Sequence, residues 1–470
     1  MLFNSLDFWL YLPAVLLIYQ IMPSSNPRGR QWVLLLASYG FYAAWDARFL
    51  GLILLSTAVD FYAALQIPKS NRPKVWVSLS LVVNLGLLFA FKYAGFFVES
   101  AVELLQALHL PVAPVALKII LPLGISFYTF QTIGYTIDVY RQRIQPEPNA
   151  LNFALFVAFF PQLMAGPIER ARDLIPQLQA LSRTNKADLL SGFRLFVLGM
   201  VKKVCISGLI WEHAELLYLN PEVHGPGETW FLGSLMLVHI LMDFSGYSDM
   251  AVGLGRMFGV RLSRNFNRIF LAQNLPDLWQ RWHMTLGRWF RDYLLLPLHR
   301  SGIPKHVAVL ITFTLIGLWH GAQGTFIVWG LIMGCLWLLD SKSNWQRRLT
   351  HLLPFSPFWA RLMTIGLFVL SSQLFACDNT LDALHIVKTM IGAQDATSLP
   401  FHPIPRSIWF ALALFAAIEF GLPRLQGLSS KHLRWAIGYR ISQQLFFLPF
   451  GIMCCAEGLW TSNEFVYFQF

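Results

Sequence analysis

Two histidines stand in sequence contexts that could position an imidazole for acid–base chemistry. His283 follows Trp282 in the stretch LWQRWHMTLGRWFRDY, and His320 follows Trp319 in LIGLWHGAQGTF. Imidazole has the side-chain pKa nearest neutral pH, so a well-placed histidine can take the proton of a hydroxyl group. Most of the 12 histidines are expected to be packing or interfacial residues. Residue type alone therefore leaves catalysis and packing both open.

Glycines surround His320 at positions 317, 321 and 324. Because glycine has no side chain, these positions leave room for close approach by a backbone or by a ligand. Trp319 adds a flat aromatic wall. This context predicts a histidine that lies in an uncrowded pocket.

A second polar cluster, DFSGYSDMAVG, lies inside an apolar helical run. Helical spacing puts Asp243 and Tyr247 near one face and Ser245 and Asp249 near another. Carboxylates inside a membrane segment are costly, and they either serve a functional site or join helices through hydrogen bonds. Both interpretations stay open for this cluster.

The elements that must position these groups are membrane helices. The chain has 470 residues, of which 56% are hydrophobic and 13% are charged, a composition outside the range of soluble proteins. The net charge of +11 fits basic loops that meet anionic membrane lipid, so we expect no nucleic-acid partner. The five cysteines lack metal-site spacing, and no metal site is predicted.

Apolar runs close to the length of a bilayer-spanning helix recur along the chain. The predicted fold is an all-α polytopic membrane protein with about 11–13 transmembrane helices plus re-entrant or interfacial helices. We expect one domain over residues 1–470, with its central catalytic part at about 117–340 and C-terminal helices in 358–470. The candidate spans are 8–22, 31–45, 49–67, 75–95, 117–139, 151–167, 189–210, 230–254, 306–320, 324–340, 358–376, 405–422 and 441–460.

The stretch around His283 is too charged for a span and too aromatic for a solvated loop. Its aromatic residues recur at helical spacing, which predicts a continuous amphipathic helix at the membrane surface or dipping into it. Arg281 and Arg288 lie on other faces, where they could contact anionic lipid. The residues of the apolar face are Trp279, Trp282, His283, Leu286, Trp289 and Phe290.

Another apolar run, FFPQLMAGPIER, contains Pro161 and the pair Gly166–Pro167. These residues interrupt helices and predict a broken helix beside a cavity. The chain has no GxSxG, HExxH, Walker A or dinucleotide-binding motif. Serine-triad hydrolysis, metalloprotease chemistry and ATP-driven transport therefore lose support.

Several long motifs together resemble the membrane-bound O-acyltransferase (MBOAT) family, nearest its bacterial alginate O-acetyltransferase-like branch. The resemblance extends over nearly the whole chain and implies a helical disc, thinned at its centre, in which funnels from both sides meet. The motifs are LASYGFYAAWD, SFYTFQTIGYTIDVYR, FFPQLMAGPIER, DFSGYSDMAVGLGRMFG, WQRWHMTLGRWFRDYL and LWHG.

The resemblance also implies a reaction. His320 matches the essential catalytic histidine and His283 the second family position, and either could be the base. Acetyl or another short acyl group would pass from a cytoplasmic thioester, acetyl-CoA or an acyl carrier protein, to an extracellular polysaccharide such as alginate. No tightly bound cofactor is expected, and Arg281 and Arg288 could contact either the phosphates of a coenzyme A donor or anionic lipid. The candidate channel or supporting residues are Trp319, Trp282, Gln280, Asp249, Tyr247 and Asp243.

The same resemblance implies a location and partners. We expect the bacterial inner membrane, contact with lipid, a periplasmic acetyl-transferring protein and a polysaccharide synthesis and export complex. Cellulose, peptidoglycan or teichoic acid are alternative acceptors, and a transporter or non-catalytic subunit of an export complex is the alternative class. In the aromatic C-terminal tail, Tyr467 is either part of an interfacial anchor, the favoured interpretation, or a temporary acyl acceptor.

Overall fold

The computed structural model describes residues 1–23, 25–110, 113, 119–393 and 403–421. Within these ranges all regular secondary structure is helical, which confirms the predicted all-α class. The predicted span 441–460 and Tyr467 lie outside the described residues. The chain forms two compact units: Met1–Phe193 with Ala251–Ser263, and Arg194–Met250 with the described residues from Arg264 onward.

The first unit contains the N-terminal helices. A buried hydrogen-bond network ties three of them together, because Ser80, Asn84 and Thr136 all donate to the carboxylate of Asp60. These helices are α1 (Leu6–Ile21), α2 (Pro27–Asp46), α3 (Leu50–Gln66), α4 (Pro73–Leu88), α5 (Ala94–Ala107), α6 (Ile125–Tyr140), α7 (Ala150–Ala158), α8 (Phe160–Leu163) and α9 (Ala171–Gln179).

The second unit contains most of the remaining helices, and α10 and α13 contribute residues to both units. A π-helical segment, Val201–Gly208, extends α10. The helices are α10 (Lys186–Met200), α11 (Leu209–Ala214), α12 (Leu216–Leu219), α13 (Pro226–Met257), α14 (Leu275–Trp279), α15 (Met284–Phe290), α16 (Leu296–Arg300), α17 (Lys305–His320), α18 (Gly324–Ser343), α19 (Trp345–His351), α20 (Ser356–Ala376), α21 (Thr380–Met390) and α22 (Arg406–Ala416).

Several helical stretches of the described chain are suited to a bilayer. Five are long and apolar enough to cross a membrane, and two shorter apolar helices, Leu6–Ile21 and Lys305–His320, accompany them. This supports the predicted polytopic membrane protein, while the predicted number of crossings stays a prediction. The five stretches are Pro27–Lys69, Pro73–Ala107, Pro226–Met257, Gly324–Ser343 and Ser356–Ala376.

The predicted helix break near Pro161 is confirmed. Helix α7 ends at Ala158, and α8 begins at Phe160 with Pro161 in its first turn. Proline suits the first turn of a helix because the missing N–H has no intrahelical partner there. The run 151–167 is therefore interrupted within its length.

The prediction of one continuous helix through His283 is wrong. Helix α14 ends at Trp279, and α15 begins only at Met284, after His283 adopts a left-handed conformation with φ of 39°. A neighbouring segment takes over the backbone hydrogen bonds, because Asn267 N–H donates to Arg281 O and Met284 N–H donates to Asn265 O. These long-range bonds replace the helical ones that the periodicity predicted.

Helices α17 and α18 form a close-packed pair that ends at His320. A side chain at Gly317 would lie 2.1 Å from the carbonyl oxygen of Phe326, and one at Gly330 would lie 2.4 Å from that of Phe313. Glycine is therefore required at both contacts. Gly317 therefore allows the backbone of α18 to approach that of α17 closely. The sequence had left open whether the glycines near His320 make room for a backbone or for a ligand.

Candidate active site

His320 is the last residue of α17 and lies in an aromatic cage. Its ring centroid is 4.9 Å from that of Trp319, 5.5 Å from Trp329 and 5.0 Å from Phe375. The side chain is buried, with 2% of its surface exposed. Three helices of the second unit, α17, α18 and α20, thus contribute to this cage.

His283 occupies the break between α14 and α15 and is also buried, with 1% of its surface exposed. Its ring centroid lies 4.7 Å from that of Phe244 on α13 and 6.4 Å from that of Phe266. A left-handed backbone is uncommon for residues other than glycine, although asparagine, aspartate and histidine adopt it more often than the rest. Such strain is maintained by the surrounding structure and is common at functional sites.

Trp319 joins the two histidines. Its indole ring contacts His283 at 5.7 Å and His320 at 4.9 Å between centroids. The two imidazole centroids can therefore be no farther apart than the sum of these two distances. The structure brings the two predicted histidines together in one aromatic cluster, although 36 residues separate them in the sequence.

Trp282, another predicted supporting residue, belongs to the same cluster. Its ring packs 5.3 Å from Phe266 and 5.2 Å from Phe368 on α20. It is buried and forms part of the wall beside His283. Phe266 contacts the rings of both Trp282 and His283 and so connects them within the cluster.

Asn265 holds the other side of His283. Its Oδ1 atom lies 3.1 Å from His283 Nδ1, and it accepts hydrogen bonds from the backbone N–H and the hydroxyl of Thr285 at 3.2 and 2.9 Å. Asn265 is 2% exposed. The imidazole is thus held by its hydrogen bond to Asn265 and by aromatic packing.

Burial lowers the pKa of His283 to about 3. The cause is desolvation, which disfavours the charged imidazolium in an apolar environment. At neutral pH the ring is therefore neutral and only a weak proton acceptor. The surroundings suit His283 to hydrogen bonding more than to holding a proton.

The predicted carboxylates of α13 have charged partners on the π-helical segment Val201–Gly208. Lys203 forms a buried ion pair with Asp243. Lys202 forms a second pair, in which its Nζ atom lies 2.6 Å from Oδ2 of Asp249. These pairs link the two elements within the second unit, which favours the interpretation of the carboxylates as groups that join helices. Tyr247 is buried in the same helix.

The remaining predicted residues are more accessible. Gln280 and Arg288 are exposed, and Arg281 is half-buried with its Nε atom 2.7 Å from a carboxylate oxygen of Asp277. Arg288 Nε also lies 3.3 Å from the carbonyl oxygen of Met284. No cluster of three or more candidate metal-ligating side chains occurs in the part of the chain that the structure describes.

The profile of the membrane-bound O-acyltransferase family matches residues 139–377, just over half of the chain and including both histidines. The chain belongs to the membrane-bound O-acyltransferase family. Membership of this family makes the chain an O-acyltransferase, and the apolar helices make it a membrane protein. The resemblance inferred from the motifs is confirmed.

Three relatives of this family show how far the similarity extends. The chain is 39% identical over 353 residues to the probable alginate O-acetylase AlgI of Azotobacter vinelandii, covering 73% of this chain and 69% of that protein. It is 39% identical to the Pseudomonas aeruginosa protein of the same name, covering 73% of this chain and 66% of that one. It is 33% identical to the peptidoglycan O-acetyltransferase of Helicobacter pylori, and the alignment covers 83% of this chain and 80% of that protein.

The sequence did not identify several residues of the aromatic cluster around His283 and His320. Asn265, Phe244 and Phe266 contact His283, while Phe375 and Trp329 contact His320. Phenylalanine is abundant in the chain, with 39 residues, so no single one stands out. An asparagine in the polar stretch RLSRNFNRIF was the only available signal, and it carries no motif of its own.

Proposed function

We propose that this chain transfers an acetyl or other short acyl group from a cytoplasmic thioester donor across the bacterial inner membrane for O-acetylation of an extracellular polysaccharide such as alginate. The observation that carries the proposal is the aromatic cluster in which Trp319 contacts both His283 and His320. The names of two relatives, both probable alginate O-acetylases, support the acceptor class.

His320 is the proposed general base of this reaction. It takes the proton of the acceptor hydroxyl while the hydroxyl oxygen forms a bond to the thioester carbonyl carbon. The carbon–sulfur bond then breaks, and the departing thiolate receives the proton from the imidazolium. Such a base is expected to accelerate transfer by about 10²–10⁴-fold.

His283 is the proposed second residue of the reaction, which orients the hydroxyl or stabilises the developing oxyanion. Its burial and low pKa support a neutral ring in this role. Trp282 and Trp319 exclude water from the reacting groups, which strengthens polar interactions there.

The donor and the partners are part of the same proposal. A coenzyme A donor carries phosphates, and the half-buried Arg281 and the exposed Arg288 are the proposed contacts for them. An acyl carrier protein is the alternative donor. The expected partners are a periplasmic acetyl-transferring protein and the polysaccharide export complex. For Tyr467, an interfacial anchor stays the favoured interpretation and a temporary acyl carrier the alternative.

The proposal is tested by His320→Ala in an alginate-producing bacterium whose own O-acetylase gene of this family is deleted. We expect the wild-type chain to restore polysaccharide acetyl content and His320→Ala to lower the transfer rate by about 10²–10⁴-fold at equal protein level. His306→Ala, at an exposed position on the same helix, is the matched control and should keep full activity. Near-normal acetylation by His320→Ala would contradict the proposal.

Peptidoglycan is the second candidate acceptor. The Helicobacter pylori peptidoglycan O-acetyltransferase aligns over 428 residues, a longer part of the chain than the two alginate relatives. In the organism that carries this gene, deletion should lower the ester-linked acetate of either the exopolysaccharide or the cell-wall glycan. Loss from the glycan alone would select peptidoglycan.

A further inference from the structure

One amide oxygen, Oδ1 of Asn265, lies at the centre of three hydrogen-bonding contacts beside His283. Its neighbours are Nδ1 of His283 at 3.1 Å, the backbone nitrogen of Thr285 at 3.2 Å and the hydroxyl of Thr285 at 2.9 Å. All three residues are buried. The chemistry of these three neighbours determines where the imidazole proton resides.

The backbone nitrogen of Thr285 can only donate, so the asparagine atom that faces it must be the carbonyl oxygen. A carbonyl oxygen can only accept, and His283 Nδ1 must therefore carry a hydrogen. A neutral imidazole has a single N–H, so the lone pair lies on Nε2. We infer that Asn265 is a positioning residue that holds His283 in the Nδ1–H tautomer and makes Nε2 a hydrogen-bond acceptor.

The backbone around Asn265 makes this arrangement rigid. Helix α15 begins after His283, whose own side chain does not cap it. Asn265 supplies the missing acceptors, because its backbone oxygen accepts from Met284 N–H at 2.8 Å and its side chain accepts from Thr285 N–H. The first two N–H groups of α15 are thus satisfied by one residue, as a capping side chain would do.

The ring of His283 also packs against three aromatic rings, those of Phe244, Phe266 and Trp319. On the elements that carry these rings, the ionisable residues within two positions are Asp243, which is paired with Lys203, Arg264 and Arg268 on either side of Phe266, and His320, which follows Trp319. The hydrogen bond to Asn265 Oδ1 is the contact from which the tautomer is inferred.

This inference rests on the proposed function for its consequence and sharpens the part played by His283. A neutral ring with its lone pair on Nε2 can accept a hydrogen bond from another hydroxyl of the acceptor, because the reacting hydroxyl donates its single hydrogen to His320. It cannot donate one from Nε2 to an oxyanion. Of the two roles proposed for His283, orienting the hydroxyl remains and stabilising the oxyanion is excluded.

The direct test is solid-state NMR of the full chain, labelled with [15N]histidine, in lipid bilayers at neutral pH. Subtraction of the spectrum of His283→Gln isolates the signals of His283 from those of the other histidines. We expect a protonated Nδ1 and an unprotonated Nε2. A protonated Nε2, with or without a protonated Nδ1, would overturn the inference.

Two variants separate the role of Asn265 from that of its neighbour. Asn265→Leu removes the acceptor, so His283 should shift towards the Nε2–H tautomer, and kcat should fall by about 10–100-fold with little change in donor KM. Thr285→Val keeps the contact between Asn265 and His283 and should keep the wild-type tautomer. An unchanged tautomer in Asn265→Leu would contradict the inference, and the wild-type spectrum decides it if that variant does not fold.

The NMR result and the acetylation result can fail independently. An Nε2–H tautomer in an enzyme that loses acetylation on His320→Ala would overturn only the role of Asn265. An Nδ1–H tautomer in a chain that acetylates normally without His320 would overturn only the proposed function.

Discussion

Two neighbouring residues of α13 face two different kinds of buried environment. Asp243 forms an ion pair with Lys203, whereas the ring of Phe244 packs 4.7 Å from that of His283. On one side a buried charge is neutralised by an opposite charge. On the other side burial lowers the pKa of the His283 ring, which is therefore neutral.

The difference shows how a membrane protein can separate stability from chemistry. A buried ion pair stabilises a helix contact only while both partners remain, because removing one partner leaves an uncompensated charge. A neutral imidazole needs no counter-charge and stays available to a substrate. We therefore expect changes at Lys203 to act on folding and changes at Asn265 to act on turnover.

The largest expected effect is that of Lys203→Met, which leaves the Asp243 carboxylate buried without its charged partner. Both side chains are almost fully buried, so we expect a loss of about 3–5 kcal/mol in the free energy of unfolding, measured in detergent. The double variant Lys203→Met/Asp243→Leu removes both charges and should recover most of that loss. Equal loss in the single and double variants would show that the two charges do not compensate each other.

A smaller effect is expected for Asn265→Asp, which keeps the acceptor but adds a negative charge beside His283. Because a nearby carboxylate favours the imidazolium, the pKa of His283 should rise. If turnover needs the neutral ring, the rate will be lost at low pH and the acid limb of the pH–rate profile will move to higher pH. A pH–rate profile of Asn265→Asp identical to that of the wild type would contradict the assignment of a neutral His283.

The smallest expected effect is that of Arg281→Glu, which tests donor contact outside the aromatic cluster. Arg281 is half-buried, so a phosphate contact should be worth about 1 kcal/mol and its reversal should raise donor KM about two- to fivefold. Arg347→Glu, at an exposed position on α19, is the control. An unchanged KM for Arg281→Glu would leave lipid contact and membrane topology as the role of this arginine.

The sequence predicted the features that depend on residue type and local order. Both histidines, the helices α17 and α18 and the break near Pro161 follow from side-chain chemistry, hydropathy and the rigidity of proline. The carboxylates of α13 were also visible, but their lysine partners lie about 40 residues away and became apparent only in the structure.

The break at His283 could not be predicted from the sequence in the same way. Its aromatic residues follow helical periodicity, and neither proline nor glycine occurs between Trp279 and Met284. The break depends on two hydrogen bonds to a segment outside this stretch: Asn267 N–H donates to Arg281 O, and Asn265 O accepts from Met284 N–H. Periodicity describes only contacts along one helix, so it contains no information about such a partner.

The most direct test of the central claim, that His283 and His320 serve one catalytic site, is a double-mutant cycle on the acyl-transfer rate. The rates of His283→Ala, His320→Ala and the double variant are compared at equal protein level. Residues that act together are non-additive, so the double variant should be no slower than the slower single variant. A rate reduced by the product of the two single effects would contradict the claim.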